Sequence, residues 1–242
     1  MAQREALSQV RISVRNLVEF VMRSGDLDDR RMAGAKKEAM QAGSRLHRKI
    51  QRRMGSDYQA EVSLKHTVKE DSFELLIEGR ADGIITEPGG VTIDEIKCIY
   101  MDPGRLEEPD PVHMAQALCY GTIYAVHHDL EEIGIQLTYC NIETEEIRRF
   151  KEVKTREELE DWFKGLIHEY VKWARYLYHH RMRRQECLKT LQFPYAYREG
   201  QKELAACVYR SVAEGRNLYI QAPTGVGKTL STVFPSLKAM GE

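Results

Sequence analysis

The chain of 242 residues carries 36 basic and 37 acidic side chains, a formal net charge of −1, with 42% hydrophobic and 30% charged residues. That balance fits one substantial globular domain with a smaller segment and excludes a disordered polyelectrolyte, and no apolar run reaches the length of a membrane span. Five scattered cysteines, Cys98, Cys119, Cys140, Cys187 and Cys207, show no C-x-x-C spacing. They suit reduced thiols in the cytoplasm, as does an amino terminus without the apolar centre of an export signal.

In chain order, helices are predicted over about 4–23 and 29–54. The second holds Gly43-Ser44-Arg45-Leu46-His47, where His47 is a candidate metal ligand through its imidazole. Arg45, Arg48, Lys49, Arg52 and Arg53 follow one another there without an acid. Such a run suits backbone phosphates or simply a solvated helix face. A similar excess lies between Arg175 and Lys189.

Strands are predicted over about 59–68, 73–86 and 91–99, and Pro88-Gly89-Gly90 reverses the chain between the last two to give a hairpin. Alternate strand residues share a face, so Glu95 and Lys97 project together while Asp94 and Ile96 point the other way. By the same parity Glu78, Arg80 and Asp82 share a face, and register can bring Asp82 beside Glu95. Two carboxylates converging with a lysine make a hard-oxygen site for Mg²⁺ or Mn²⁺, in which Lys97 orients a nucleophile or balances transition-state charge. Taken alone, the same triplet also suits a solvated hairpin with a cross-strand ion pair.

A helix over about 110–128 places His113, Gln116, Tyr120 and Tyr124 on one stripe, polar and aromatic where a plain core face would be aliphatic. Strands at about 134–142 and 146–153 precede a long helix over 156–188, opened by a Thr155–Glu158 capping box. Trp162, Phe163, Ile167, Tyr170, Trp173 and Leu177 are expected to close the core along it. The pattern predicts an α/β protein of three layers, a central mixed sheet flanked by helices.

Beyond a linker at 191–197, Gln201 opens a helix running to about Glu214, and Asn217–Gln221 reads as a short strand. Then comes Ala222-Pro223-Thr224-Gly225-Val226-Gly227-Lys228-Thr229 and the start of another helix. Strand, glycine-rich turn, Lys-Thr and helix is the context of a phosphate-binding loop. The N–H groups of Thr224, Gly225, Val226 and Gly227 surround phosphates, Lys228 reaches the outer ones and the Thr229 hydroxyl binds Mg²⁺, which makes ATP the expected ligand.

The order Gly43-x-x-x-His47, Gly79-Arg80-x-Asp82-Gly83, Glu95-x-Lys97 and Gln116-x-x-x-Tyr120 resembles the RecB-like branch of the PD-(D/E)xK nuclease superfamily, over roughly residues 1–190. The resemblance implies a restriction-endonuclease-like core, metal ligation by His47, Asp82, Glu95 and the Ile96 carbonyl, catalysis by Lys97 with Glu95 and Asp82, and support beside the DNA from Gln116, Tyr120 and Arg80. Relatives that hold an iron–sulfur cluster use one early and three late cysteines, a pattern absent here, so no cluster is expected. Residues 191–242 are similar to the opening of a DinG/XPD-type superfamily 2 helicase lobe, with Ala222 where the strict loop pattern has Gly. That likeness implies an adenine contact by Gln201 and stacking by Tyr195.

Together these imply a Mg²⁺- or Mn²⁺-dependent nuclease acting on DNA, single-stranded or with free ends, in DNA repair or defence. No membrane partner is implied, and the remainder of a helicase motor is the expected protein partner. Thirteen residues follow Thr229, too few for the acidic motif and second lobe that ATP hydrolysis needs, so turnover is not expected of this chain. Two alternatives stand beside this reading: a helicase fragment whose first domain is a noncatalytic DNA platform, and a nucleic-acid-binding module that holds nucleotide as a regulatory ligand.

Overall fold

The computed structural model describes residues 8–25 and 35–241, so the expected helical residues 4–7 and 29–34 lie outside the described residues. The chain divides into two compact units, one ending at Ala174 and one beginning at Arg175.

In the first unit a six-stranded mixed sheet is built from β1 (Ser8–Ser13), β2 (Tyr58–Lys69), β3 (Phe73–Glu87), β4 (Gly90–Ile99), β5 (Glu132–Asn141) and β6 (Ile147–Thr155). Between them run α1 (Val14–Val21), α2 (Ala35–Arg53) and α3 (Pro111–His128), and α4 (Arg156–Thr190) follows β6. The 15-residue β3 organises the sheet. Antiparallel β2 takes one of its edges, from Glu74 to Ile85. Parallel β1, on Phe73–Glu78, and antiparallel β4, on Gly83–Glu87, share the other edge. β4 then runs parallel to β5, which pairs antiparallel with β6.

The expected helix at 8–13 is a strand. Val10 and Ile12 alternate with Gln9 and Arg11 at period two, and the open first half of β3 offers a ladder, so pairing overrides helical propensity. At Ser13 the chain turns into α1, with the Ser13 hydroxyl accepting from Asn16 N–H at 3.1 Å. Helix α3 starts on Asp110, whose carboxylate accepts from Val112 and His113 N–H, with Pro111 at its first position. The expected capping box on α4 is present: Glu158 N–H donates to Thr155 Oγ1 at 3.2 Å and Thr155 N–H to Glu158 Oε2 at 2.9 Å.

The layers follow from strand parity. Ile93, Glu95 and Lys97 of β4 lie on the face covered by α3, whose Gly121 packs against Ile135 of β5. On the other face Leu46 and Ile50 of α2 pack against Ile96 and Cys140, with half-buried Cys98 beside them. Leu159, Phe163, Leu166, Ile167, Tyr170 and Ala174 of α4 are buried at three-to-four-residue spacing. Trp173 and Leu177, expected in that stripe, are about half exposed, at 49% and 52%. Trp173 falls between the buried positions, where Phe20 of α1 meets it edge-on at 5.7 Å, and Leu177 lies beyond Ala174, the last buried residue of the helix.

The second unit holds the end of α4, then α5 (Gln201–Ala213) and α6 (Lys228–Ala239), which pack on each other. Lys238 donates to the carbonyls of Lys189 and Leu191, at 2.6 and 2.9 Å, satisfying backbone groups at the end of α4. Asn217–Gln221, expected as a strand, is irregular, and Tyr219 is 92% exposed. A strand needs a ladder, and no described strand pairs with this segment.

Candidate active site

Where β1 and β4 leave the shared edge of β3, residues 79–82 have no ladder partner on that side. This notch is the site. Gly83 pairs with Asp94, so Asp82 stands opposite Glu95 on the same face of the sheet. Beyond that pair the strands diverge, and the Asp82 side chain fills the gap by accepting from Ile96 N–H at 2.8 Å. A residue's N–H and C=O leave a strand on the same side, so the Ile96 carbonyl faces the same notch.

The glycines of Gly79-Arg80-Ala81-Asp82-Gly83 are required by close approach. A Cβ on Gly79 would lie 2.8 Å from the Tyr120 hydroxyl, and one on Gly83 would overlap the hydroxyl of Tyr58. With those two side chains lying over bare backbone, α3 and the start of β2 come close to β3 at both ends of the motif.

A cleft of about 640 Å³ opens here, and His47, Arg80, Asp82, Glu95, Ile96, Lys97, Gln116 and Tyr120 all line it. The structure therefore brings together every site residue read from the first 190 positions. Lys97 Nζ donates to Glu95 Oε1 at 2.8 Å and to Gln116 Oε1 at 2.5 Å, so α3 fixes the ammonium above β4. His47 reaches over from α2, its Nε2 lying 3.1 Å from Asp82 Oδ2. Tyr124, on the same helical stripe as Gln116, instead stacks on His128 at 4.0 Å.

Burial sets the protonation chemistry. The Glu95 side chain is only 7% exposed, and desolvation, reinforced by Asp82, lifts its carboxyl to about 7 despite the opposing pull of Lys97. Its second oxygen, Oε2, is buried with no hydrogen-bond partner among the described residues. His47 is raised above its usual range, chiefly by its hydrogen bond to Asp82, against the lowering effect of its own burial. His113, at the cleft wall, is lowered by burial and by Lys97, and its Nδ1 lies 3.0 Å from the Tyr139 hydroxyl. On the opposite face of β4, Asp94 is raised by burial, with Oδ1 accepting from Thr138 and Gln136.

Among the cleft residues, Arg15, Glu19 and Glu61 were not singled out in the sequence. Arg15 and Glu19 come from α1, and their position depends on β1 being a strand that ends at the notch. The alternation of Val10 and Ile12 was the available signal. Glu61 comes from β2, where its left-handed backbone, φ 59°, has no sequence signature. Ligand atoms of His47, Glu61 and Asp82 lie within 4.8 Å of one another, a donor set suited to a divalent cation.

In the second unit Gly225 and Gly227 adopt φ of +85° and +82°, as a tight loop into α6 requires. The structure brings Gln201 against this loop. Its Oε1 accepts from Arg198 N–H at 3.0 Å, and its Nε2 lies 3.5 Å from the Gly227 carbonyl. Lys228 Nζ donates to the carbonyls of Ala222 and Pro223, at 2.8 and 2.9 Å. Thr224 and Thr229 are exposed at the loop surface, Val226 is half-buried, and Tyr195 is 73% exposed.

No known protein-family profile matches the chain. Over 47 residues it is 47% identical to the "Probable ATP-dependent helicase MJ0942" of Methanocaldococcus jannaschii, a match that spans 19% of this chain and 7% of that protein's length. Among solved structures, that of SSO0001 aligns with a TM-score of 0.43 at 20% identity, over 69% of this chain and 77% of the other. An alkaline exonuclease (LHK-Exo) from Laribacter hongkongensis aligns with a TM-score of 0.37 at 14% identity, over 70% and 92%.

Two further features bear on the wider protein. No helix among the described residues is long and apolar enough to cross a membrane. Of the basic run on α2, Lys49 and Arg53 pair with Glu145.

Proposed function

We propose that the chain is a Mg²⁺- or Mn²⁺-dependent deoxyribonuclease of PD-(D/E)xK type, residues 1–190, joined to the opening of a helicase motor lobe, residues 191–242. The observation that carries this reading is the convergence of Asp82, Glu95, the Ile96 backbone and Lys97 in one cleft, with Glu95 Oε2 buried and unpartnered. A buried carboxylate oxygen without a donor is costly, and a cation is the group that would satisfy it. His47, Asp82, Glu95 and the Ile96 carbonyl would hold the metal, which supplies Lewis-acid polarisation of a phosphoryl oxygen and a more acidic bound water.

The chain's own residues do the rest. Lys97, held by Glu95 and Gln116, places a positive charge where the attacking water and the developing phosphoryl charge must lie. Arg80 and Arg15 at the rim would take flanking phosphates and fix the strand's position without reading sequence. Gln116 keeps Lys97 from swinging into solvent, and Tyr120 closes the end of the cleft over Gly79.

For the second segment, Thr224–Thr229 would cradle nucleotide phosphates with Gln201 behind them. Action on single-stranded or end-containing DNA, in repair or defence, belongs to the same proposal. The test is incubation of the purified chain with labelled single-stranded and duplex DNA in Mn²⁺, Mg²⁺ or chelator, beside Glu95→Ala and Lys97→Ala. Cleavage that needs metal and vanishes in both variants is expected. Metal-independent cleavage would overturn the proposal, and binding without cleavage would leave only a DNA platform.

A further inference from the structure

Phe20 and Trp173 are large aromatic residues that the packing leaves half outside. Helix α1 is held by Val14, Leu17 and Val18, all fully buried, so its attachment does not require Phe20, which is 48% exposed. On α4 the buried stripe runs through Tyr170 and Ala174, and Trp173, 49% exposed, stands just off it. Aromatic side chains have the most apolar surface to bury, so two left open side by side mark a contact surface.

The rings are also fixed in orientation. Phe20 meets Tyr170 edge-on at 5.5 Å and 87°, and Trp173 edge-on at 5.7 Å and 78°. Tyr170 is buried, so the Phe20 ring rests on a core side chain. Rings held in place before a partner arrives lose little freedom on binding it.

The surroundings of the pair favour nucleic acid over protein. Glu19, the residue before Phe20, lines the cleft, and so does Arg15, about 7.5 Å from Phe20 along the helix axis. Arg23 is exposed just beyond α1, and Lys172, next to Trp173, is exposed while paired with Glu169 at 2.6 Å. An aromatic step with cations on both sides, continuous with a cleft suited to a phosphodiester, matches a chain of phosphates whose bases are free to stack. Paired bases inside a duplex already stack on each other and present no open face. We propose that Phe20 and Trp173 form a stacking step for the bases of single-stranded DNA that runs from the cleft along α1. The inference rests on the nuclease reading of the cleft, and it places the preference for single strands on residues outside the metal site.

The test uses the full chain in chelator, so binding is read without metal or cleavage. The chain has two tryptophans, Trp162 and Trp173, and Trp162→Phe leaves the Trp173 indole as the reporter. Oligo(dT) should quench its fluorescence, whereas an abasic deoxyribose-phosphate oligomer of the same length should not, and a duplex should do so only weakly. By anisotropy of labelled oligo(dT), Phe20→Ala and Trp173→Ala should each weaken binding by about 5–100-fold. Phe20→Tyr should retain the affinity, and Phe20→Leu, which keeps apolar bulk without a π face, should lose it. Should Trp162→Phe fail to fold, the quenching is read on the unsubstituted chain as the part of the signal that Trp173→Phe removes.

Equal quenching by the abasic oligomer, no quenching by oligo(dT), or Phe20→Leu binding as well as Phe20→Tyr would each overturn the proposal. So would a Trp173 signal that follows protein concentration without DNA, which would make the pair a contact between copies of the chain. Quenching without metal-dependent cleavage would keep the stacking step and remove the nuclease. Cleavage without quenching would do the reverse.

Discussion

The cleft on β3–β4 and the loop before α6 are both places where a cation or phosphate could sit, yet they are prepared in opposite ways. In the cleft the acidic groups and Lys97 stand on strands where the sheet forks, Glu95 and Lys97 held by the ladder to β5, and Glu95 is kept there with a buried, unpartnered oxygen. In the loop the groups are backbone N–H and one lysine on an exposed segment, and Lys228 has turned back onto its own chain's carbonyls. A rigid frame can hold a group in an unfavourable state before its ligand arrives, whereas an unpaired segment settles its groups on itself and must be reopened by the ligand.

The sharpest way to break that contrast is at Glu95 and Lys97. Glu95→Gln should lower metal-dependent DNA cleavage by about 10²–10³-fold or more, while raising the metal-free Tm by a few degrees because a costly buried carboxylate is gone. Loss of both activity and stability would show that Glu95 is structural. Lys228→Ala should leave cleavage unchanged and remove binding of a fluorescent ATP analogue, since the loop and the cleft share no residue. An equal loss of cleavage would contradict their independence.

The next effect is pH dependence. With Glu95 lifted to about 7 and His47 raised, the folded metal-free chain binds more protons than the unfolded one, so both groups stabilise it on the acid side and this contribution is lost as pH rises through their folded values. A cation needs both deprotonated, so Mn²⁺ affinity should climb at least about tenfold between pH 6 and pH 8. Calorimetric titrations at the two pH values check the first claim's consequence, and a flat profile would remove it. The smallest effects are steric: Gly83→Ala should cost about 1–3 kcal/mol by driving Tyr58 off β3, whereas Gly225→Ala meets nothing within 4 Å and should cost only the left-handed penalty of about 1–2 kcal/mol. Denaturant unfolding, followed separately for each variant, ranks them.

Much of the cleft was legible because its logic is local. Parity alone set Glu95 and Lys97 on one face and Asp94 on the other, and the turn at 88–90 put Asp82 across from Glu95. The Gln116 and Tyr120 spacing likewise followed from helix geometry. What escaped was whatever depended on a partner distant in sequence. Ser8–Ser13 became a strand because β3 had a free edge, and that change delivered Arg15 and Glu19 to the cleft. Asn217–Gln221 has the composition of a strand but no described strand pairs with it. Glu61 sits in an ordinary strand pattern, and neither its left-handed backbone nor its side-chain contacts with Gln51, Arg80 and His47 can be read from its neighbours in sequence.

The sequence by itself determined the alternation of faces and the helix caps at Asp110 and Thr155, because each is decided within a few residues of covalent chain. Only the tertiary structure decided where the sheet forks, which oxygen is left without a donor and how far Glu95 departs from an ordinary carboxyl. Those depend on which strands compete for one edge and on how much water the packed layers exclude, and neither quantity is written in any short stretch of sequence.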